Sequence, residues 1–170
     1  MGGRWFVADL LTHGAAALVV KAATSVRMAS VFVAGTLLPD VASRVPSIGL
    51  GLVHVHIMRV PEWMLFAWEP LHQPFGMVLL AYLLSMLFSA QIRPAVFLNL
   101  LGGMGLHMML DLLQSHHGAG YMLMFPFSTA SFELGWIGSE ATVPAALPLV
   151  VFAIWLVRKR SQSVSMVHQQ

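Results

Sequence analysis

The chain contains no cysteine, which excludes disulfides, thiolate metal sites and a cysteine nucleophile. Charge is nearly as scarce. Only 9% of the 170 residues are Asp, Glu, Lys or Arg, against about 25% in soluble domains. So few charges cannot cover a water-exposed surface, and the composition reads as a polytopic membrane protein. The nine Lys and Arg leave a formal net charge of +2. Spread this thinly they make no nucleic-acid surface, although the isoelectric point is near 9.5; they serve better as topology markers. No internal repeat at a fixed period is present, and the length allows one compact helical domain without a separate soluble module.

What is abundant is apolar: 58% of the residues are hydrophobic and the mean hydropathy is +0.77. Apolar segments cover residues 5–22, 28–38, 74–89, 95–113 and 141–157. The second stops at Pro39-Asp40, and the first two are short for a span of about 20 residues. Asp9 and His13 interrupt the first run, so it reads as a retained helix rather than a signal peptide. Residues 43–71 carry Pro46, Pro61, Pro70, His54, His56, Trp63 and Trp68, a composition suited to short helices at the membrane–water interface. Residues 115–139 form a loop with Gly118, Gly120, Pro126, Gly135 and Gly138. The expected fold is all-α: one membrane-embedded bundle over residues 1–160, with about 4–5 embedded helices and short interfacial ones. Residues 161–170 read as a disordered cytoplasmic tail.

Charge then orients the helices. With Arg158-Lys159-Arg160 in the cytoplasm, Lys21, Arg27 and Arg93 also fall inside, as in a protein of the bacterial inner membrane. Asp40, His72 and the 115–139 loop fall outside. All seven acidic residues (Asp9, Asp40, Glu62, Glu69, Asp111, Glu133, Glu140) and most of the eight histidines gather on the outer half.

Ionisable groups in such apolar surroundings are expensive and usually have a partner or a task. His107 and Asp111 lie one turn apart on one helical face. His13 has Asp9 one turn before it, Asp40 ends the second segment, and His72 precedes the third helix. Short connections make antiparallel helices neighbours, so these groups can converge. Three or four His and Asp ligands suit zinc, while carboxylate-rich sites also take manganese or magnesium.

Each residue has a plainer reading. His13 alone can be an interhelical hydrogen bond, His107 with Asp111 an intrahelical pair, and Asp40 a helix end. His54 and His56, two apart, sit on different helical faces. His116 and His117 stand at a helix end, where the dipole favours them. Glu69 and Glu133 read as solvated loop carboxylates, although Glu69, Asp9 or Asp111 could serve as general base. Met104, Met108 and Met109 read as packing, and Gly102, Gly103 and Gly105 as sites of close helix approach.

Taken in order, Thr12-His13, Leu37-Leu-Pro-Asp40, a histidine opening the third helix, His107-x-x-x-Asp111, Ser115-His116-His117-Gly118 and Pro126-Phe-Ser128 resemble the membrane-bound, metal-dependent hydrolases of the YdjM type. That family is described as LexA-binding and inner-membrane-associated. The resemblance covers about residues 10 to 155 and implies His13, Asp40, His72, His107 and Asp111 as metal ligands. The chain departs from the family pattern at Ala42, where a second acidic residue often stands. It departs again at Trp68-Glu-Pro-Leu-His72-Gln73, which lacks a first histidine, a threonine and a serine.

The expected function is a membrane-embedded metal-dependent hydrolase acting on a lipid or a lipid-linked phosphate or ester, a substrate class inferred from location. One alternative is a non-catalytic membrane protein with a structural metal or buried polar site. Another is a metal-ion or proton transporter. Against the transporter, the inner halves of the third and fourth helices offer only Tyr82, Ser85, Ser89 and Asn99 as polar side chains.

Overall fold

In a computed structural model of the protein, residues 3–24, 28–115, 120–138, 148–156 and 158–159 are described, with side chains from residue 10 onward. Helix α1 spans Gly3–Ala23, α2 Ala29–His56 and α3 Glu62–Phe66; a 3₁₀ turn covers Glu69–His72; α4 spans Pro74–Ser85 and α5 Arg93–Leu113. Residues 148–156 are also helical. Strands β1 (Gln114–Ser115) and β2 (Ile137–Gly138) form a two-residue parallel pair. The chain is therefore mostly helical, as expected. The proposed end of the loop, the start of the last apolar segment and the tail 161–170 lie outside the described residues.

Helix starts follow local chemistry. Pro74 and Pro94 each stand in the first turn of their helix, where a missing N–H costs nothing and φ is already set. The second helix departs from expectation. It does not stop at Pro39-Asp40 but continues through Pro39 and Pro46 to His56, so residues 43–56 belong to this one long helix rather than to separate short ones. An interior proline costs about 3 kcal/mol. Tertiary packing offsets that cost: the face made by Gly35, Thr36, Pro39, Asp40 and Ser43 is buried as α2 packs on α5, α1, α3 and the 3₁₀ turn. Asp40 is thus an interior residue, about 17 Å along a helix that rises 1.5 Å per residue, and not a helix end.

The core is built on α5. Val96, Leu100, Met104 and Met108 recur at helical spacing and pack with Met77 and Ala81 of α4 and with Tyr121. His107 and Asp111 continue the same buried face. Opposite them α2 approaches closely. A Cβ on Gly35 would meet the Leu100 backbone, and one on Gly103 would meet the Phe32 carbonyl and the Thr36 backbone. The glycines set the α2–α5 separation by removing the atoms that would hold the backbones apart.

Among the described residues, Arg93–Leu113 is the one helix long and apolar enough to cross a membrane by length and composition, while Leu10–Ala23 and Pro74–Ser85 are apolar but shorter. Helix α2 is longer still, but Asp40, Arg44, Ser43, Ser47, His54 and His56 dilute its apolar content.

The α2–α5 contact makes a direct prediction. Gly103→Ala should lower stability by about 1–3 kcal/mol through overpacking. Gly105→Ala, on the same helix with open space around it, should be neutral or stabilising by up to about 1 kcal/mol. Thermal melts of the two variants in one detergent check the contrast.

Candidate metal centre

Five groups from four elements meet inside the bundle: His13 from α1, Asp40 from α2, His72 from the 3₁₀ turn, and His107 and Asp111 from α5. None is more than 3% exposed. They form two overlapping sets, His13–His107–Asp111 and Asp40–His72–His107, each with one donor atom per residue within 4.8 Å of the others.

Asp111 is the hub. Its Oδ1 lies 2.9 Å from His13 Nε2. Its Oδ2 lies 2.9 Å from His72 Nε2 and 3.1 Å from His107 Nε2, and accepts a 2.8 Å hydrogen bond from the Tyr121 hydroxyl. His13 stacks on His107, and His72 is tilted against it. His13 and His107 have centroids 4.2 Å apart, and His72 is 4.8 Å from His107.

The hydrogen bonds locate one proton on each of two imidazoles. His107 Nδ1 is 2.8 Å from the Thr36 carbonyl, which only accepts, so Nδ1 carries a proton and, in the neutral ring, Nε2 holds the lone pair. Ser43 commits its single hydroxyl proton to the Pro39 carbonyl at 2.8 Å. Its oxygen is left to accept from His72 Nδ1 at 3.2 Å, so in a neutral ring His72 Nε2 also presents a lone pair. These two Nε2 atoms face each other at 2.7 Å, beside a carboxylate oxygen. With both rings neutral, three electron-rich atoms share one small volume that the Tyr121 proton alone does not neutralise; a further proton on either Nε2, or a metal ion, would. A cation answers that arrangement directly. The outward Nδ1–H bond to a backbone carbonyl or hydroxyl is also the usual way a ligating histidine is oriented.

Asp40 borders the cluster. Its Oδ1 is 2.8 Å from Arg44 Nε and 3.9 Å from His72 Nδ1. The Arg44 contact is an ion pair rather than an aligned hydrogen bond, and Asp40 Oδ2 is buried with no hydrogen-bond partner among the described residues. A buried carboxylate oxygen without a donor is costly, which also fits a site for a cation.

The scaffold explains these positions. Thr36, Asp40 and Ser43 share one face of α2 because the helix runs on past Pro39. His72 is held by the 3₁₀ turn, where Leu71 N–H donates to Trp68 and Gln73 N–H to Pro70; Gly76 lets that turn press onto α4. Tyr121 is held by reciprocal 2.9 Å backbone bonds with Phe132, and Leu134 N–H donates to Leu112 at the end of α5. Burial, with the neighbouring Asp111 carboxylate, pushes the Tyr121 phenol far above its ordinary value, so it stays a donor.

The structure brings together all five residues expected as ligands. Of the three candidate bases, Asp111 has both oxygens engaged within the cluster, and Glu69 is exposed on the 3₁₀ turn, outside the cluster. The Asp9 side chain, His116 and His117 lie outside the described residues. His54 is tied locally, its Nδ1 accepting from Val60 N–H at 3.0 Å. Sequence reasoning missed Tyr121, Ser43 and the Thr36 carbonyl. The spacing of 36, 40 and 43 would have revealed the latter two had the helix been carried through Pro39.

No family model, curated protein or solved structure matches the chain.

Removing the Tyr121 hydroxyl should leave Asp111 short of one charge-assisted donor. Tyr121→Phe is expected to lower stability by about 1.5–3 kcal/mol. Denaturant titration against wild type measures it.

Proposed function

We propose that the protein is a membrane-embedded, metal-dependent hydrolase with its metal held by His72, His107 and Asp111, and with His13 and Asp40 completing the donor set. The observation that carries this reading is the convergence of His72 Nε2, His107 Nε2 and Asp111 Oδ2 with both Nδ1 protons committed outward. Mixed imidazole and carboxylate donors suit zinc, with manganese or magnesium as alternatives. A divalent ion bound there would polarise a phosphoryl or carbonyl oxygen and supply a nucleophile at neutral pH. The chain's own contribution is orientation. The Thr36 carbonyl and Ser43 aim the two imidazoles, Tyr121 fixes the Asp111 carboxylate, and the bundle keeps bulk water out.

The membrane setting rests on the outward faces. Val78, Leu79, Tyr82 and Leu83 of α4, Leu98 and Met109 of α5, and Val151, Phe152, Ile154 and Trp155 are exposed. A water-soluble protein rarely exposes so many large apolar side chains. On this reading α1, α2, α4, α5 and the helical residues 148–156 form the embedded bundle of an inner-membrane protein with its C-terminus in the cytoplasm. Trp63 and Trp68 lie at the interface. The substrate class that reaches such a site is a lipid, or a lipid-linked phosphate or ester. The resemblance to YdjM-type hydrolases supports the same reading.

One observation favours a second reading. The five donor groups are almost completely enclosed, and closed sites are characteristic of structural metals, whereas catalytic ones keep an open position. The same cluster would then hold a metal, or a shared proton, for stability alone.

Metal analysis of purified protein, wild type beside His107→Ala and Asp111→Asn, tests the proposal. Wild type should carry stoichiometric divalent metal, lose it and melt earlier with a chelator, and both variants should bind at least about 10-fold less. A wild-type protein with no metal and no chelator response would end the metal reading. Phosphate-ester and carboxyl-ester hydrolysis in liposomes then separates the two readings: metal-dependent turnover supports the enzyme, and loaded but inert protein the structural site.

A further inference from the structure

The five donor groups are buried, but one residue in contact with them reaches the surface. Arg44 stands one turn after Asp40 on α2, with its Nε 2.8 Å from Asp40 Oδ1 and its side chain 28% exposed. Among the described residues it is the one Lys or Arg in an ion pair with a carboxylate of the cluster. Its charge also acts on the Tyr121 phenol, where it opposes the upward push of burial, Asp111 and Asp40. Arg44 therefore links the interior of the centre to its outside.

With a divalent ion in place, the charges do not balance without a further anion. Metal ligation requires neutral imidazoles and ionised carboxylates. Asp40 and Asp111 are the carboxylates that the described residues bring into the cluster, and together they offset one divalent ion. The Arg44 guanidinium, charged at any working pH, is then in excess. An uncompensated charge in surroundings this apolar is costly and calls for a counter-charge. A carboxyl ester brings none. A phosphodiester brings a single negative charge, shared between oxygens that a guanidinium fork can hold. That fork has five N–H donors, so the Asp40 contact does not by itself exhaust it.

We propose that Arg44 is the anion-recognising residue of this centre and that it selects a singly charged phosphodiester over a neutral ester. The assignment rests on the hydrolase reading, whose substrate class it narrows. Asp40 serves both partners. Its Oδ1 pairs with Arg44, and its Oδ2, buried with no hydrogen-bond partner among the described residues, is left for the metal. The phosphate then lies between the guanidinium and the cationic centre, and its charge completes the balance that the chain leaves open.

The test uses full-length protein in detergent, zinc-loaded and freed of excess metal, with metal content measured on every sample. Thermophoresis compares short-chain phosphatidylglycerol, the acyl-matched neutral diacylglycerol and inorganic phosphate. Loaded wild type should prefer the phosphodiester lipid over the neutral one by about 10-fold or more, the scale of a hydrogen bond to a charged group. Inorganic phosphate that displaces the lipid assigns recognition to the phosphate group itself; phosphate that does not assigns it to the lipid phosphodiester. Arg44→Gln should abolish the preference with metal content and neutral-lipid binding unchanged, while Arg44→Lys, which keeps the charge, should retain part of it. Equal binding of the two lipids by loaded wild type would overturn the assignment whatever the variants do, and so would a preference that survives Arg44→Gln. Loaded protein without the preference removes this assignment and leaves the metal in place. Protein that takes up no metal removes the hydrolase reading. The Arg44 assignment then stands if phosphatidylglycerol binding still falls in Arg44→Gln, and falls with the hydrolase if it does not.

Discussion

Two imidazole nitrogens and a carboxylate oxygen share one small volume at the heart of the helix bundle, and with both rings neutral all three present lone pairs to it. In water such a meeting would be screened; in an apolar interior the repulsion between lone pairs is felt nearly in full. Something positive must sit among them, either a proton on an imidazole or a metal ion. The surrounding structure reads as a means of holding that arrangement. The Thr36 carbonyl and the Ser43 hydroxyl occupy the far nitrogens, so the near ones stay electron-rich. Tyr121 gives Asp111 a proton donor that burial keeps in place.

The helix packing serves the same end. His107 can reach the Thr36 carbonyl only if α2 and α5 approach closely, and the approach depends on glycine at 35 and 103. Helix α2 can offer Thr36, Asp40 and Ser43 together only if it remains helical through Pro39. A proline that by propensity alone would end the helix instead lies within its buried face. Outside, the apolar faces of α4, α5 and residues 148–156 are left for lipid, on the reading proposed here.

Much of the centre is legible in the sequence because ionisable residues stand out against an apolar background. His13, Asp40, His72, His107 and Asp111 are picked out by residue type and order alone, and the structure gathers all five. What is not legible has physical causes. Ending the second helix at Pro39 applies a local propensity that tertiary packing overrides, and it hides the Thr36–Asp40–Ser43 face. Tyr121 sits in an irregular segment whose path is set by backbone pairing with Phe132, which no periodicity encodes. The mostly helical fold follows from composition; the depth of the site does not, because His13 and Asp40 lie within their helices rather than at their ends.

The central claim is that the converging nitrogens and carboxylate oxygen hold a metal ion directly. X-ray absorption spectroscopy of zinc-loaded protein tests it at the atoms concerned. The account predicts a first shell of nitrogen and oxygen at about 2.0–2.1 Å, with the outer-shell scattering of at least two imidazoles, one fewer in His107→Ala. A shell of oxygen alone, without imidazole scattering, would contradict it.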